Sequence, residues 1–169
     1  AAQYDMKVLL DFHYSDFWAE PAVQLIPKAW KKDVNNTEKM CSDVYDFTKE
    51  SIQKFKDGGA NIGMVQVGNE ITNGLLGIYS NRDKGESFNV IWGDKKKSTE
   101  VNKYLKAGIK AVRECTPQAL VALHLETPNV WKYKTIMNTW KRDNVDYDVL
   151  GSSYYPFWSI AAKANTPKT

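Results

Sequence analysis

The chain has 169 residues, which favours one domain over residues 1–169. It is too short for a complete eight-stranded α/β barrel, which needs about 250 residues. Its net charge of +3 comes from 23 basic and 20 acidic side chains, and residues 95–97 form the only basic run. Nucleic acid is therefore a poor candidate partner. A membrane span is not expected either, because no stretch approaches the roughly 20 apolar residues that cross a bilayer.

Strands and helices alternate along the chain. Short apolar runs predict four strands, and apolar residues at helical spacing predict a helix in each interval between them. The strands are predicted at Val8–Phe12, 62–68, 119–125 and 148–153. The first helix covers Thr37–Asp57, where Val44, Phe47, Ile52 and Phe55 recur and Gly58 follows. The second has Val101, Leu105, Ile109 and Val112 on one face and ends before Pro117, and the third has Tyr133, Ile136, Met137 and Trp140.

This alternation predicts an α/β fold with parallel strands and crossover helices. Apolar strands without strict alternation are typical of strands buried on both faces. Chemically rich residues follow the carboxyl end of every strand, as in an α/β barrel, whereas an open sheet gathers its ligand residues at one switch point. The placement of these residues after every strand therefore favours part of a (β/α)8 TIM barrel, with about four parallel strands alternating with helices. No glycine-rich phosphate loop follows the first strand, so nucleotide binding has no support.

Two cysteines, Cys41 and Cys115, are too few for a disulfide framework and lack metal-ligand spacing. Each lies in a helical pattern, so buried free thiols are expected, and a bridge between them is the alternative.

Glu70 is the candidate catalytic residue. It follows the second strand and is preceded by Asn69. Shelter from water disfavours the charged form of a carboxyl group, so such a group can keep its proton near neutral pH and act as a general acid. Asn69 can donate a hydrogen bond to a sugar hydroxyl beside the reacting carbon. The alternative is that the Asn-Glu pair only begins a loop.

Two histidines and several aromatic residues occupy similar positions. His13 follows the first strand and His124 lies in the third; each could instead satisfy a hydrogen bond in the core. A zinc site would need a third ligand and a recognisable spacing. Trp18 and Trp158 lie in the loops after the first and fourth strands. Aromatic rings beside polar residues suit sugars, whose C–H faces stack on them, although loop tryptophans also pack on their own scaffold.

Three segments resemble one known family. They are residues 10–21 (LDFHYSDFWAEP), 66–76 (QVGNEITNGLL) and 151–157 (GSSYYPF), in that order, and residues 27–30 continue the first of them. The chain is similar in these segments to the endo-β-1,4-galactanases of glycoside hydrolase family 53, which are retaining barrel hydrolases. The likeness spans nearly the whole chain.

The resemblance implies that the four strands correspond to the third through sixth strands of the family's barrel. Glu70 then matches the acid/base, Asn69 the amide beside it, and His13 a histidine at the site. Either Tyr154 or Tyr155 matches the tyrosine that orients the nucleophile, and Tyr155 is the better match of the two. The implied activity is retaining endo-hydrolysis of β-1,4-galactan in the side chains of pectin. The implied partner is this polysaccharide, and the implied location is extracellular.

The family's nucleophilic glutamate follows the seventh strand, so the resemblance places it outside this chain. Asp11 is expected to point inward and support the site, whereas Asp16 and Glu126 are expected to bind hydroxyls or face water; none matches the nucleophile. The first two strands are also expected to be missing, with the arginine usually found on the second. We therefore expect the isolated piece to be inactive.

No cofactor is implied within this chain. Bacterial members of the family often bind calcium after the seventh strand, so calcium remains an expectation for the full-length protein only. Two alternative functions remain open at this point. One is a carbohydrate-binding protein without hydrolytic activity, and the other is a related hydrolase that acts on a different β-linked polysaccharide.

Overall fold

A computed structural model describes residues 1–155 of the chain. Four parallel strands form the main sheet, in the order β1-β2-β5-β6. Their bounds are Val8–Phe12 (β1), Ile62–Val67 (β2), Leu120–Leu125 (β5) and Val149–Ser152 (β6). Each strand lies beside the strand that precedes it in the main sheet, which is the strand order of an α/β barrel. The four predicted strands are confirmed to within a residue at each end.

Helices connect the strands of the main sheet. They are α1 (Thr37–Asp57), α2 (Asn89–Trp92), α3 (Lys95–Cys115) and α4 (Val130–Arg142). The side chains of Asn36, Asp94 and Asn129 accept a backbone N–H three residues later and so cap α1, α3 and α4. The three predicted helices are confirmed. The single turn of α2 was not predicted, because four residues are too few to show an apolar periodicity. Short 3-10 turns occur at Ala2–Tyr4, Lys28–Asp33, Ile71–Asn73 and Arg82–Lys84.

The core lies between the sheet and its helices. Val65 and Val67 of β2 are fully buried, as are Leu123 and Leu125 of β5. Burial on both faces was expected for every strand. For β1 and β6 this is wrong, because Leu9 remains 51% exposed and no residue of Val149–Ser152 is fully buried. Within residues 1–155, β1 and β6 each have one strand neighbour, so their outer edges are uncovered.

Helix α1 packs on α3. Its buried positions include Val44 and Ile52, as the helical spacing predicts, but Phe47 and Phe55 are about half exposed. Phe47 instead makes edge-on contacts with the rings of Phe12, Tyr14 and Trp30. The apolar stripe is therefore divided between the core and an aromatic cluster near the end of β1.

The segment after Asn69 and Glu70 contains a small hairpin, with strands β3 (Gly74–Leu75) and β4 (Ile78–Tyr79). Gly74 has a φ of +125°, and a Cβ atom there would lie 2.0 Å from the carbonyl oxygen of Ile78. Only glycine allows the two strands to approach so closely. This segment is thus a tight turn that is buried against the core.

Cys41 and Cys115 are both free, as predicted, although they are half-buried rather than fully buried. Burial raises the pKa of the Cys41 thiol to about 11. Its thiolate form is therefore scarce at neutral pH.

Among the helices of residues 1–155, none combines the length and the apolar character that crossing a membrane requires.

Candidate active site

Glu70 lies directly after β2, at the carboxyl edge of the parallel sheet. Gly68 has a φ of +85° and Glu70 itself a left-handed conformation, with φ 47° and ψ 48°. A residue with a Cβ atom costs about 1–2 kcal/mol in this region. The turn ends the strand abruptly and begins the 3-10 turn Ile71–Asn73, so that the side chain of Glu70 enters an open groove.

Ser153 joins Glu70 to His124. The Ser153 hydroxyl, which follows β6, is hydrogen-bonded to Oε1 of Glu70. It also lies 3.1 Å from Nε2 of His124, on β5. The three side chains come from three adjacent strands of the sheet, and Ser153 is only 9% exposed.

Asn69 is held from several directions. Its Nδ2 donates to the carbonyl oxygen of Ala19 at 2.8 Å, and its Oδ1 lies 2.8 Å from Nδ1 of His124. Its backbone carbonyl accepts a hydrogen bond from Nε2 of Gln24 at 2.9 Å. These bonds fix both the side chain and the main chain of the residue that precedes Glu70.

Gln66 carries the network to β1. Its Nε2 donates to Oδ1 of Asp11 at 2.6 Å and to Oδ1 of Asn69 at 3.2 Å. The other carboxylate oxygen of Asp11 lies 3.3 Å from Nε2 of His13. Asp11 therefore supports the site, as expected from the sequence.

Desolvation lowers the pKa of His124, although the nearby Glu70 and Asp11 carboxylates act in the opposite direction. The net effect favours the neutral imidazole. A neutral ring carries one N–H, so one of its nitrogens must act as an acceptor.

His13 and Trp18 form a second wall. Nδ1 of His13 accepts the backbone N–H of Ala19 at 3.0 Å, and its ring meets the Trp18 ring at an angle of 63°, with centroids 5.1 Å apart. Trp18 is nevertheless 74% exposed. Most of its indole surface is therefore open to a ligand.

A groove of about 480 Å³ contains the Glu70 side chain. It combines an acid, an aromatic platform and polar groups that can bind hydroxyls. Its lining residues are Trp18, Glu20, Pro21, Glu70, Arg82, Glu126 and Tyr155. Of the two tyrosines considered, Tyr155 is among them and Tyr154 is not. The carboxylate of Glu126 lies 3.5 Å from Nζ of Lys132, which balances its charge.

Asp16 is placed elsewhere. Its Oδ2 accepts the backbone N–H of Lys28 at 2.7 Å, and it lines a groove of about 520 Å³ with Phe17 and Leu25. The carboxylate organises the loop after β1, and the structure does not bring it to Glu70. A third groove, of about 530 Å³, lies on α1 and α3, so volume alone does not mark the site.

Trp158 lies outside the described residues. Among residues 1–155, no group of three or more His, Cys, Asp or Glu side chains is placed to hold a metal ion.

Several residues of the site were missed by sequence reasoning. Gln66 had one signal, since it is a polar residue within an apolar strand, and Ser153 lay in a segment that was noted for its tyrosines. Glu20 lies in the segment 10–21 but was not singled out there, and Arg82 carried no signal, because a loop brings it to the groove from a distant part of the chain.

A parallel strand-helix sheet that presents a carboxylic acid, an amide and an exposed tryptophan at its carboxyl edge is typical of the barrel glycoside hydrolases. The chain belongs to glycosyl hydrolase family 53, whose family model matches residues 1–167. It is 44% identical over 154 residues to the endo-β-1,4-galactanase of Bacillus subtilis, covering 90% of this chain and 32% of that protein. It is 31% identical to the arabinogalactan endo-β-1,4-galactanase of Humicola insolens, covering 93% of this chain and 45% of that protein.

A solved structure supports the same assignment. The family 53 catalytic domain from Ignisphaera aggregans matches with a TM-score of 0.77 and 31% identity, covering 92% of this chain and 39% of that chain. The α/β fold is thus part of the family's (β/α)8 barrel, as predicted. The chain spans between a third and a half of the length of these relatives.

Proposed function

We propose that the protein to which this chain belongs hydrolyses β-1,4-galactan, the side-chain polymer of pectin, in an endo fashion and with retention of configuration. The observation that carries the proposal is the position of Glu70 in a groove beside the exposed ring of Trp18, at the carboxyl edge of the sheet. Membership of family 53 and the names of the relatives support this substrate.

Glu70 is the general acid of the first step in this proposal. It gives its proton to the departing sugar oxygen while a second carboxylate attacks the anomeric carbon, and then takes a proton from water as general base. That second carboxylate must lie about 5–5.5 Å away. The family resemblance places it outside this chain.

Asn69 binds the sugar beside the reacting carbon. Its Nδ2 carries two hydrogens, and one of them is used by the carbonyl oxygen of Ala19. The other has no hydrogen-bond partner within residues 1–155, and the proposal assigns it to a sugar hydroxyl. The bonds to His124 and Gln66 keep the amide in this orientation.

The experiment is the variant Glu70→Gln in the full-length protein, compared with wild type on galactan, mannan and cellulose. We expect wild type to release reducing ends from galactan and the variant to lose about 10²–10⁴-fold of this activity. An aryl galactoside with an acidic leaving group needs no proton, so its glycosylation step should be spared. Equal loss on both substrates would count against the acid role, and release from mannan or cellulose alone would overturn the galactan assignment.

Glu114→Gln is the matched control. This glutamate lies at the end of α3, at the opposite edge of the sheet from Glu70, where it accepts a hydrogen bond from the Tyr45 hydroxyl. Its neutralisation removes one negative charge without touching the groove, so galactan hydrolysis should stay within about twofold of wild type, as for ordinary surface changes.

We also propose that the protein acts outside the cell, because its proposed substrate is an extracellular polymer. Galactanase activity in the medium of the source organism, rather than in the washed cells, would support this location. Activity confined to the cells would contradict it.

A further inference from the structure

The Ser153 hydroxyl stands between two groups that can each accept its hydrogen. One is Oε1 of Glu70 and the other is Nε2 of His124, 3.1 Å away. A hydroxyl has one hydrogen and two lone pairs, so it can donate to only one of these neighbours at a time. The other neighbour must donate to Ser153 if both bonds are to be made.

Asn69 decides which neighbour donates. Its Nδ2 donates to the carbonyl oxygen of Ala19, a group that can only accept, so the orientation of the amide is fixed. Oδ1 of Asn69 therefore faces Nδ1 of His124 at 2.8 Å. Because an amide oxygen can only accept, Nδ1 carries the hydrogen. Two donors also point at Nδ1, the backbone N–H of Glu70 at 3.3 Å and Nε2 of Gln66 at 3.4 Å, and we give the hydrogen to Nδ1 because its contact with Oδ1 of Asn69 is the shortest of the three.

The direction of the remaining bonds follows from this assignment. A neutral imidazole that is protonated on Nδ1 has a bare Nε2, which accepts the hydrogen of Ser153. The oxygen of Ser153 is then left as an acceptor, and the carboxyl group of Glu70 fills it by donating its own proton. When Glu70 is protonated, each side-chain bond from Asn69 through His124 and Ser153 to Glu70 has one donor and one acceptor, and the backbone N–H of Glu70 is the group left without Nδ1 as an acceptor.

We propose that Ser153 is a positioning residue that keeps Glu70 protonated before substrate reacts, by accepting the carboxyl hydrogen while its own hydrogen is held by Nε2 of His124. This inference rests on the proposed function, in which Glu70 is the general acid. It deepens that function by naming the group that favours the acid form.

The arrangement also accounts for both states of the acid. When Glu70 gives its proton to the departing oxygen, Oε1 becomes a pure acceptor and competes with Nε2 of His124 for the hydrogen of Ser153. The hydroxyl can turn toward the carboxylate and turn back when water returns a proton to Glu70. No proton is gained or lost by Ser153 or His124 in this cycle.

Other charged and titratable groups face the same groove, and within residues 1–155 none of them is hydrogen-bonded to the Ser153 hydroxyl. Asp11 lies on β1 and His13 directly after it. Glu126 follows β5, and its partner Lys132 lies on α4 with Tyr133. Glu20, Arg82 and Tyr155 complete the set from the loops. A difference between wild type and a Ser153 variant therefore reports on the hydroxyl itself.

The test uses NMR of the full-length protein with ¹³C in the glutamate carboxyl groups and ¹⁵N in the histidine rings. Glu70→Gln and His124→Gln assign the two signals. In wild type at low pH, we expect Nδ1 of His124 to be protonated and Nε2 to be a hydrogen-bonded acceptor. As pH rises, the Nε2 signal should change together with the carboxyl signal of Glu70.

The variant Ser153→Ala should break this connection. Nε2 loses its donor and no longer follows Glu70, and the carboxyl signal of Glu70 should change at a pH lower by about 0.5–1 unit, the equivalent of one ordinary hydrogen bond. Ser153→Thr keeps a hydroxyl and should restore the wild-type behaviour. Ser152→Ala is the matched control, because that neighbouring hydroxyl bonds to Tyr133 instead.

Three results would overturn the inference: a hydrogen on Nε2 rather than Nδ1 in wild type at low pH, an unchanged or upward shift of the Glu70 signal in Ser153→Ala, or the same downward shift in Ser152→Ala. The NMR readout does not need hydrolysis. If the connection is seen but galactan is not cleaved, the proposed function fails and the network stands. If galactan is cleaved but the Nε2 signal of His124 does not change together with the Glu70 carboxyl signal, the network fails and the proposed function stands. The alkaline limb of the pH profile of kcat/KM should then be identical in wild type and Ser153→Ala.

Discussion

Trp18 offers a direct test of the groove as a sugar-binding surface. The residue is 74% exposed, so only about a quarter of its ~250 Å² surface is buried by the protein. At ~25 cal/mol per Å², this burial is worth about 1.5 kcal/mol. Trp18→Ala should therefore lower the thermal stability of the full-length protein only slightly, by a few degrees in Tm.

The effect on catalysis should be larger. A sugar ring stacked on one indole face covers about 90 Å², worth about 2 kcal/mol before the cost of ordering is subtracted. We expect kcat/KM on galactan to fall about tenfold in Trp18→Ala, which corresponds to 1.4 kcal/mol. Initial rates of reducing-end release at subsaturating galactan measure this quantity.

Trp131→Ala is the matched control. Trp131 is 61% exposed at the start of α4, and its ring contacts the Phe88 ring edge-on with the two ring centroids 4.9 Å apart. It does not line the groove of Glu70. Its removal should cost similar stability and leave kcat/KM within about twofold of wild type, as for a surface change. If both variants lose activity equally, the loss reflects general destabilisation, and the reasoning about the Trp18 platform is refuted.

Three further predictions concern the scaffold. Gly108→Ala should lower Tm despite the better helix propensity of alanine, because the added Cβ would lie 2.6 Å from the Tyr14 hydroxyl. Adding Tyr14→Phe should recover part of the lost Tm. A rise in Tm for Gly108→Ala alone would contradict the packing argument. The hydrogen bond from Arg142 holds the pKa of Asp143 well below its ordinary value, so the carboxylate stabilises the folded protein above the ordinary pKa of aspartate and this stabilisation is lost as pH falls. The Tm of Asp143→Asn should therefore depend less on pH, between neutral and acid, than the Tm of wild type. Parallel curves of Tm against pH for the two proteins would argue against this account. The isolated 169-residue chain should self-associate through the open edges of β1 and β6, and a well-behaved monomer in size-exclusion chromatography would contradict this expectation.

The elements that could be predicted are those whose signals are local. Val8–Phe12 is an apolar run that ends in polar residues, and Thr37–Asp57 has helical spacing followed by glycine; the structure reproduces both sets of bounds. The position of Glu70 at the edge of the sheet followed from the strand that precedes it. Each of these inferences depends on residues that are close in sequence.

The parts that could not be predicted depend on distant contacts. Ser153 bonds to a residue 83 positions earlier in the chain, and although Tyr154 and Tyr155 beside it were candidates, nothing local showed that its own hydroxyl would contact Glu70. Asp16 shows the opposite case. Its carboxylate suited a sugar site, but in the structure it accepts a hydrogen bond from the backbone N–H of Lys28. The hairpin at Gly74 was hidden because its strands have two residues each, which is too short for any periodicity.

The left-handed backbone at Glu70 has a consequence for how this site persists through mutation. Glycine is free of the steric penalty that a side chain meets there, whereas the glutamate gives the scaffold only its hydrogen bond to Ser153. Selection for heat resistance alone would favour discarding the acid. Only selection for catalytic activity opposes this replacement. In relatives that have lost catalysis, we therefore expect glycine to replace the glutamate at this turn early.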